Sequence, residues 1–270
     1  MAEQRFHFCK LLVVKSIQLV LLAAGFALVQ TPQVLLAEGI PQRWEAKQYK
    51  PPSGIGSPRR VDGAGTRSPL SNCPVEGKPL TALVPSSGFG VTVAAYPTFF
   101  VYMPSPTADK SILPVEFILQ DADGNQIYQT RFETSGRAGI ITIDLPSQVG
   151  LPPLEIGQDY YWSFSAICQA NERAKDQVVE GWVRRVALDP NLERQLKASS
   201  PQQQVELYAE GEMWHDALAT LTQLRRDFPN NVEVAAQWER LLQAVGLSDI
   251  DGEPLVPSPP IPREQLSSVQ

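Results

Sequence analysis

The stretch from Leu154 to Cys168, LEIGQDYYWSFSAIC, constrains what this chain can fold into more than any other part of it. In an extended strand Tyr160, Trp162, Phe164 and Ala166 fall on one face and Tyr161, Ser163, Ser165 and Ile167 on the other, with the bulky side toward a core. So dense an aromatic run favours a strand over a helix. Leu154 and Gly157 precede Tyr160 with the spacing of a tyrosine corner, in which the phenol hydroxyl bonds back to the chain just upstream. The expectation is an antiparallel β-sandwich of immunoglobulin or fibronectin type.

The neighbouring sequence extends this pattern. Residues 80–84, 91–94, 98–103, 115–120, 126–133, 139–145, 160–168 and 179–188 are short β-forming runs separated by turn residues, with no helical period between them. Asp121-Ala122-Asp123-Gly124-Asn125 joins two of them and reads as a hairpin loop. It is not a calcium loop of the EF-hand type, because glycine comes at the fourth position and Phe132 stands where the terminal glutamate is required. After Asp189-Pro190 the period changes, and apolar residues three and four apart predict helices over 201–210, 213–227 and 232–245. Tyr208, Ala217, Leu221, Leu224 and Pro229 have the spacing of the later positions of a tetratricopeptide repeat. A lone repeat cannot bury its own face, so a TPR-like hairpin plus one helix is expected to dock on the sandwich. The fold class is therefore α+β, with a β-sandwich over 73–190 and a small helical domain over 191–251.

Basic residues up to Lys15, an apolar run over 17–29 and Ala37 after Val34-Leu35-Leu36 give the layout of a secretory signal peptide, 1–37. An uncleaved anchor is the alternative. Export implies a periplasmic or cell-envelope protein. Residues 38–72, with PPSGIGSPRR, read as a Pro/Gly-rich linker, and 252–270, with PLVPSPPIPRE, as a disordered tail. The net charge of -6 becomes about -8 without 1–37, where Arg5, Lys10 and Lys15 outweigh Glu3, and such an acidic chain argues against sequence-independent nucleic-acid binding. Loss of the signal also removes Cys9 and leaves Cys73 and Cys168 as a candidate disulfide; two separate thiols are the alternative.

No nucleophile elbow, phosphate loop or histidine-rich metal motif occurs, so no catalytic, cofactor-binding or metal residue is assigned. His215, beside Asp216, reads as a surface histidine. Arg184 and Arg185 point to opposite faces of the last strand, and one is expected to pair with Glu180. Tyr161, Trp182, Trp214 and Trp238 are the candidate partner-binding residues, the rings that would anchor an envelope protein or a glycan if they stand on the surface. Otherwise they fill the core.

Several blocks together resemble a known family. They are Gly65-Thr66-Arg67 before Cys73, LTALVP at 80–85, PTFFVYMP at 97–104, EFILQDADGNQIYQT at 116–130, Tyr160-Tyr161-Trp162, EGWVRR at 180–185 and WHDALATLTQLR at 214–225. As a set, over residues 58–256, they closely resemble the cyanobacterial DUF928 family. The resemblance implies an exported cyanobacterial protein and transfers no catalytic residues, since the family has no established activity. The expected role is a non-catalytic binding or interaction module of the cell envelope. The alternatives are an envelope hydrolase or glycan-active enzyme using Asp/Glu pairs, and a TPR-like scaffold for a partner protein.

Overall fold

The structure, a computed structural model, describes Cys73 and residues 75–107, 112–147 and 150–257. The expected signal peptide, linker and the tail from 258 onward lie outside the described residues. Among the described residues ten strands come first: β1 (Val75–Glu76), β2 (Thr81–Ala82), β3 (Phe89–Thr92), β4 (Thr98–Met103), β5 (Ser105–Pro106), β6 (Pro114–Gln120), β7 (Gln126–Glu133), β8 (Gly139–Asp144), β9 (Asp159–Ala166) and β10 (Gln177–Arg185). Four α-helices follow: α1 (Pro190–Ala198), α2 (Pro201–Glu210), α3 (Trp214–Asp227) and α4 (Val232–Ala244). The fold is α+β, as the change of period predicts.

A five-stranded sheet in the order β3-β10-β9-β6-β7 faces a three-stranded sheet in the order β2-β4-β8, and β1 and β5 form a small ribbon. The strand pairs are antiparallel except β3–β10, which is parallel and pairs Phe89 with Trp182. That pair departs from the wholly antiparallel sandwich expected, because the long return from β3 to β10 lets both run the same way along one sheet edge. At the corner before β9, the Glu155 N–H donates to the Tyr160 hydroxyl over 2.8 Å, and Tyr160 itself is buried.

The helices turn two layers into three. One core lies between the sheets, where Phe99, Val101 and Met103 of β4 meet Phe117, Trp162 and Phe164. The other lies between the three-stranded sheet and the helices, where Phe100 and Tyr102 of β4 and Ile140 of β8 meet Trp214, Leu218, Leu221 and Trp238. β4 is thus buried on both faces, which is why TFFVYM is continuously apolar instead of alternating.

Two elements differ from expectation. α1 is an additional helix: the Asp189 carboxylate accepts from the Asn191 and Leu192 amides and Pro190 fits the first turn, while Leu196 is its one buried residue, so it has almost no apolar period to read. The first residues of the expected tail, 252–257, lie on the fold. The Ile140 amide donates to the Pro254 carbonyl and the Val256 amide to the Ile140 carbonyl, which lays Pro254–Val256 along the edge of β8 and buries Val256. Gly139 makes room there, since a Cβ would sit 2.6 Å from the Pro254 carbonyl oxygen.

Candidate functional site

The helical layer is fastened to the sheets by three consecutive residues at the start of α3. Trp214 Nε1 donates to the Leu83 carbonyl over 2.8 Å, and the Asp216 carboxylate accepts from the Val93 amide over 3.0 Å. Between them His215 is 2% exposed, correcting its reading as a surface residue. Its Nδ1 is 3.1 Å from the Thr98 carbonyl oxygen; a carbonyl only accepts, so Nδ1 carries the proton and Nε2 is left as a buried lone pair with no hydrogen-bond partner. The ring stands edge-on to Phe99 and packs against Gly90, where a Cβ would be 2.5 Å from Nε2. Burial lowers its pKa to about 4, against the smaller opposing effect of the Thr98 carbonyl, so the imidazole is neutral. Burial likewise raises Asp216 to about 6, opposed by the hydrogen bonds from Val93 and Thr92. His215 bonds to β4 and Asp216 to Val93 just past β3, and neither lines a surface hollow described below. Their arrangement joins layers.

The expected partner-binding tryptophans are buried. Trp214 belongs to the core between sheet and helices, as does Trp238, whose Nε1 donates to the Asp251 carbonyl over 2.9 Å and whose ring lies 4.3 Å from the Arg225 guanidinium carbon. Trp182 is 0% exposed. As core residues Trp214 and Trp238 cannot also anchor an external partner, because a ring packed on both faces has none left to offer. Tyr161 is half-buried; its hydroxyl donates to the Glu180 carboxylate and its ring stands edge-on to Trp182 at 5.4 Å.

Cys73 and Cys168 are joined by a disulfide, with 4.8 Å between their Cα atoms. Beside them is a charged cluster. The carboxylate of Glu116, buried on the outer face of the five-stranded sheet, accepts from Gln129, Arg131 and Arg173, and Arg173 also donates to Asp176. Burial opposes ionisation of Glu116, but the hydrogen bonds from Arg173 and Arg131 prevail and hold its pKa below the ordinary value. Asp176 in turn accepts from the Cys168 amide over 3.1 Å. Arg184 pairs with Asp159 at 2.5 and 2.7 Å, not with Glu180 as expected, because Asp159 is its direct cross-strand neighbour. Arg185 donates to the Val93 and Leu154 carbonyls. The Asp121 loop is a hairpin turn whose carboxylate accepts from the Asp123 and Asn125 amides.

Two surface hollows are lined by described residues. One, of about 180 Å³, is lined by Lys78, Pro79, Thr81, Leu247, Asp249 and Ile250, and the Lys78–Glu253 ion pair closes beside it. The other is an open groove of about 360 Å³ between α1 and α2, with Ala198 and Leu207 as apolar lining and Gln195, Gln203, Glu206 and Glu210 as polar lining. Sequence patterning missed it because α1, one of its walls, has so little apolar signal. Among the described residues no group of three or more His, Cys, Asp or Glu could hold a metal ion, and no helix is long and apolar enough to cross a membrane.

One family model, described as Domain of Unknown Function (DUF928), matches residues 62–255. No curated protein and no solved structure matches the chain.

Proposed function

The chain belongs to the DUF928 family, and from that premise we propose that it is an exported, non-catalytic binding module of the cell envelope whose binding surface is the α1–α2 groove. The observation that carries this reading is the groove itself. Its volume of about 360 Å³ is within the range of ligand clefts, and its lining combines Leu207 and Ala198 with the carboxylates of Glu206 and Glu210. Such a surface fits an extended segment of a partner protein that lays apolar side chains in the groove and brings a Lys or Arg to the acids. Export to an oxidising periplasm is supported by the basic-then-apolar N-terminus and by the Cys73–Cys168 bond, since disulfides persist in such compartments. The cyanobacterial origin rests on the sequence blocks alone. An immunoglobulin-like assignment is supported by the division of strands, β2, β4 and β8 on one sheet against β6, β9 and β10 on the other. The α2–α3 hairpin, with Ala217 buried in the core it shares with the other helices, supports a TPR-like one.

Two measurements test the proposal. In fractionated cells the chain is expected in the periplasmic fraction with its N-terminus near residue 38; full-length chain in the cytoplasm would overturn export. An envelope protein captured by the mature chain is expected to be lost with Leu207→Asp or Glu210→Lys and retained with the distant Arg131→Ala. Equal capture by all variants would remove the groove from the mechanism, and binding of envelope glycan that survives these substitutions would replace the protein partner.

A further inference from the structure

The last strand of a sheet has hydrogen-bonding groups with no neighbour, and this fold closes its edges unequally. Pro254–Val256 lies along β8, bonded to Ile140. β3 is backed by α3, with His215 packed on Gly90 and Asp216 accepting from Val93 just past the strand. β2 is only two residues long. β7 differs: it has eight residues, paired with β6 on one side and, among the described residues, with no strand on the other. Such an edge is a template for a further strand unless a proline or a bulge blunts it. β7 contains no proline, and its one irregularity is at its first turn, where the register shifts between Leu119 and Gln120 and leaves Ile127 without a partner.

The β6–β7 ladder shows which backbone groups face outward. The Thr134 amide donates to the Leu113 carbonyl over 3.0 Å, and in an antiparallel pair bonded and non-bonded positions alternate. Phe132 and Thr130 therefore turn their amides and carbonyls toward β6, while Glu133, Arg131 and Gln129 turn theirs away. Pro114, directly across from Glu133, agrees: it has no N–H to give, and its carbonyl accepts from Ile167 on its other side.

We infer that this edge pairs with the same edge of a second copy, antiparallel about a two-fold axis through Phe132. In such an isologous pair outward groups must lie opposite outward groups, which restricts the register. An axis at Arg131 or Glu133 sets a charge against itself. An axis at Gln129 or Thr130 leaves both charges opposite uncharged residues. With the axis at Phe132, Arg131 of each copy lies opposite Glu133 of the other, and two backbone hydrogen bonds form at each of these two pairs. Both side chains are exposed, Arg131 at 58% even while it holds Glu116. Their charges also cancel within β7, so the net charge of -6 is not concentrated at this edge. Phe132 is half-buried, 6.3 Å from the Phe164 ring, and meets its own copy across the axis at a non-hydrogen-bonded position, where side chains approach most closely. The two five-stranded sheets become one continuous sheet.

The test uses the whole mature chain. Sedimentation is expected to show a dimer whose share grows with concentration. Hydrogen exchange read residue by residue should find the Arg131 and Glu133 amides slowing as the dimer forms, with the Gln129 amide still fast. Glu133→Pro removes an outward donor that β6 does not use, and Glu133→Arg sets like charges opposite each other; each is expected to abolish the dimer. Circular dichroism checks that both variants are folded, and if the proline variant is not, the arginine variant decides. A monomer at every concentration would overturn the inference. So would a dimer that leaves the Arg131 and Glu133 amides fast, slows Gln129 along with them, or persists in the folded variants.

Discussion

At the scale of single residues, His215 carries the clearest pH signature. Its folded pKa of about 4 is below the ordinary 6.5 because burial penalises the imidazolium. The unfolded chain therefore binds a proton that the fold refuses: stability is complete above pH 6.5 and is lost as pH falls from 6.5 toward 4. Between pH 7.5 and pH 4.5 the wild type should lose about 2–3 kcal/mol more than His215→Gln, which keeps a donor for Thr98 but does not titrate. Denaturant titrations at both pH values measure this. Asp216 works in the opposite sense, since a carboxyl raised to about 6 adds stability below its ordinary value and loses it as pH rises through 6. It is present in both proteins, so the comparison isolates His215. Equal losses in the two would mean that His215 is protonated in the fold. This residue was illegible in the sequence, because a histidine at a helix start has no local sign of the carbonyl it will meet more than a hundred residues away.

At the scale of elements, the join between β3 and α3 depends on the missing side chain of Gly90. With a Cβ 2.5 Å from His215 Nε2 and 2.7 Å from Cδ2, Gly90→Ala cannot be absorbed by a ring held by Thr98 and Phe99, so strand or helix must shift. Overpacking of this kind costs about 1–3 kcal/mol. His215→Ala opens a cavity and also destabilises. The double variant should lose less than the two single losses combined, with a coupling of about 1 kcal/mol or more, readable from urea midpoints. Strict additivity would show that the helix does not rest on this glycine. Element by element, the sequence was most informative where burial was one-sided: the alternation in β9 and the three-and-four spacing in α3 and α4 predicted their extents within a residue or two. It was least informative for α1, which buries only Leu196, and for β1 and β5, whose two-residue runs exist only through their pairing with each other. Those same weak elements form or flank the surfaces of interest, so the α1–α2 groove could not be seen before the fold was known.

At the scale of the whole molecule, sandwich and helices were both legible, but their fusion was not. Phe100, Tyr102 and Ile140 serve the helical core from the far side of the sheet whose other face serves the sandwich core, so neither part has a complete core alone. The Cys73–Cys168 bond encloses β1 to β9, 95 residues apart in sequence, and leaves β10 and every α-helix outside the closed loop. Constraining a loop of that length in the unfolded chain contributes about 4–5 kcal/mol in the chain-entropy account. Reduction, or Cys73→Ser with Cys168→Ser, should therefore lower the urea midpoint markedly. The shared sheet predicts how the weakened protein unfolds. Far-ultraviolet circular dichroism in the helix region, which reports α1–α4, and hydrogen exchange of the β6 and β9 amides, which reports the sandwich, should give superimposable transitions with and without the bond. Were the helices an independent unit tethered to the sandwich, losing the bond would destabilise the enclosed strands alone and separate the two curves. Separate transitions in the reduced protein would thus refute the three-layer cooperativity that β4, buried on both faces, implies.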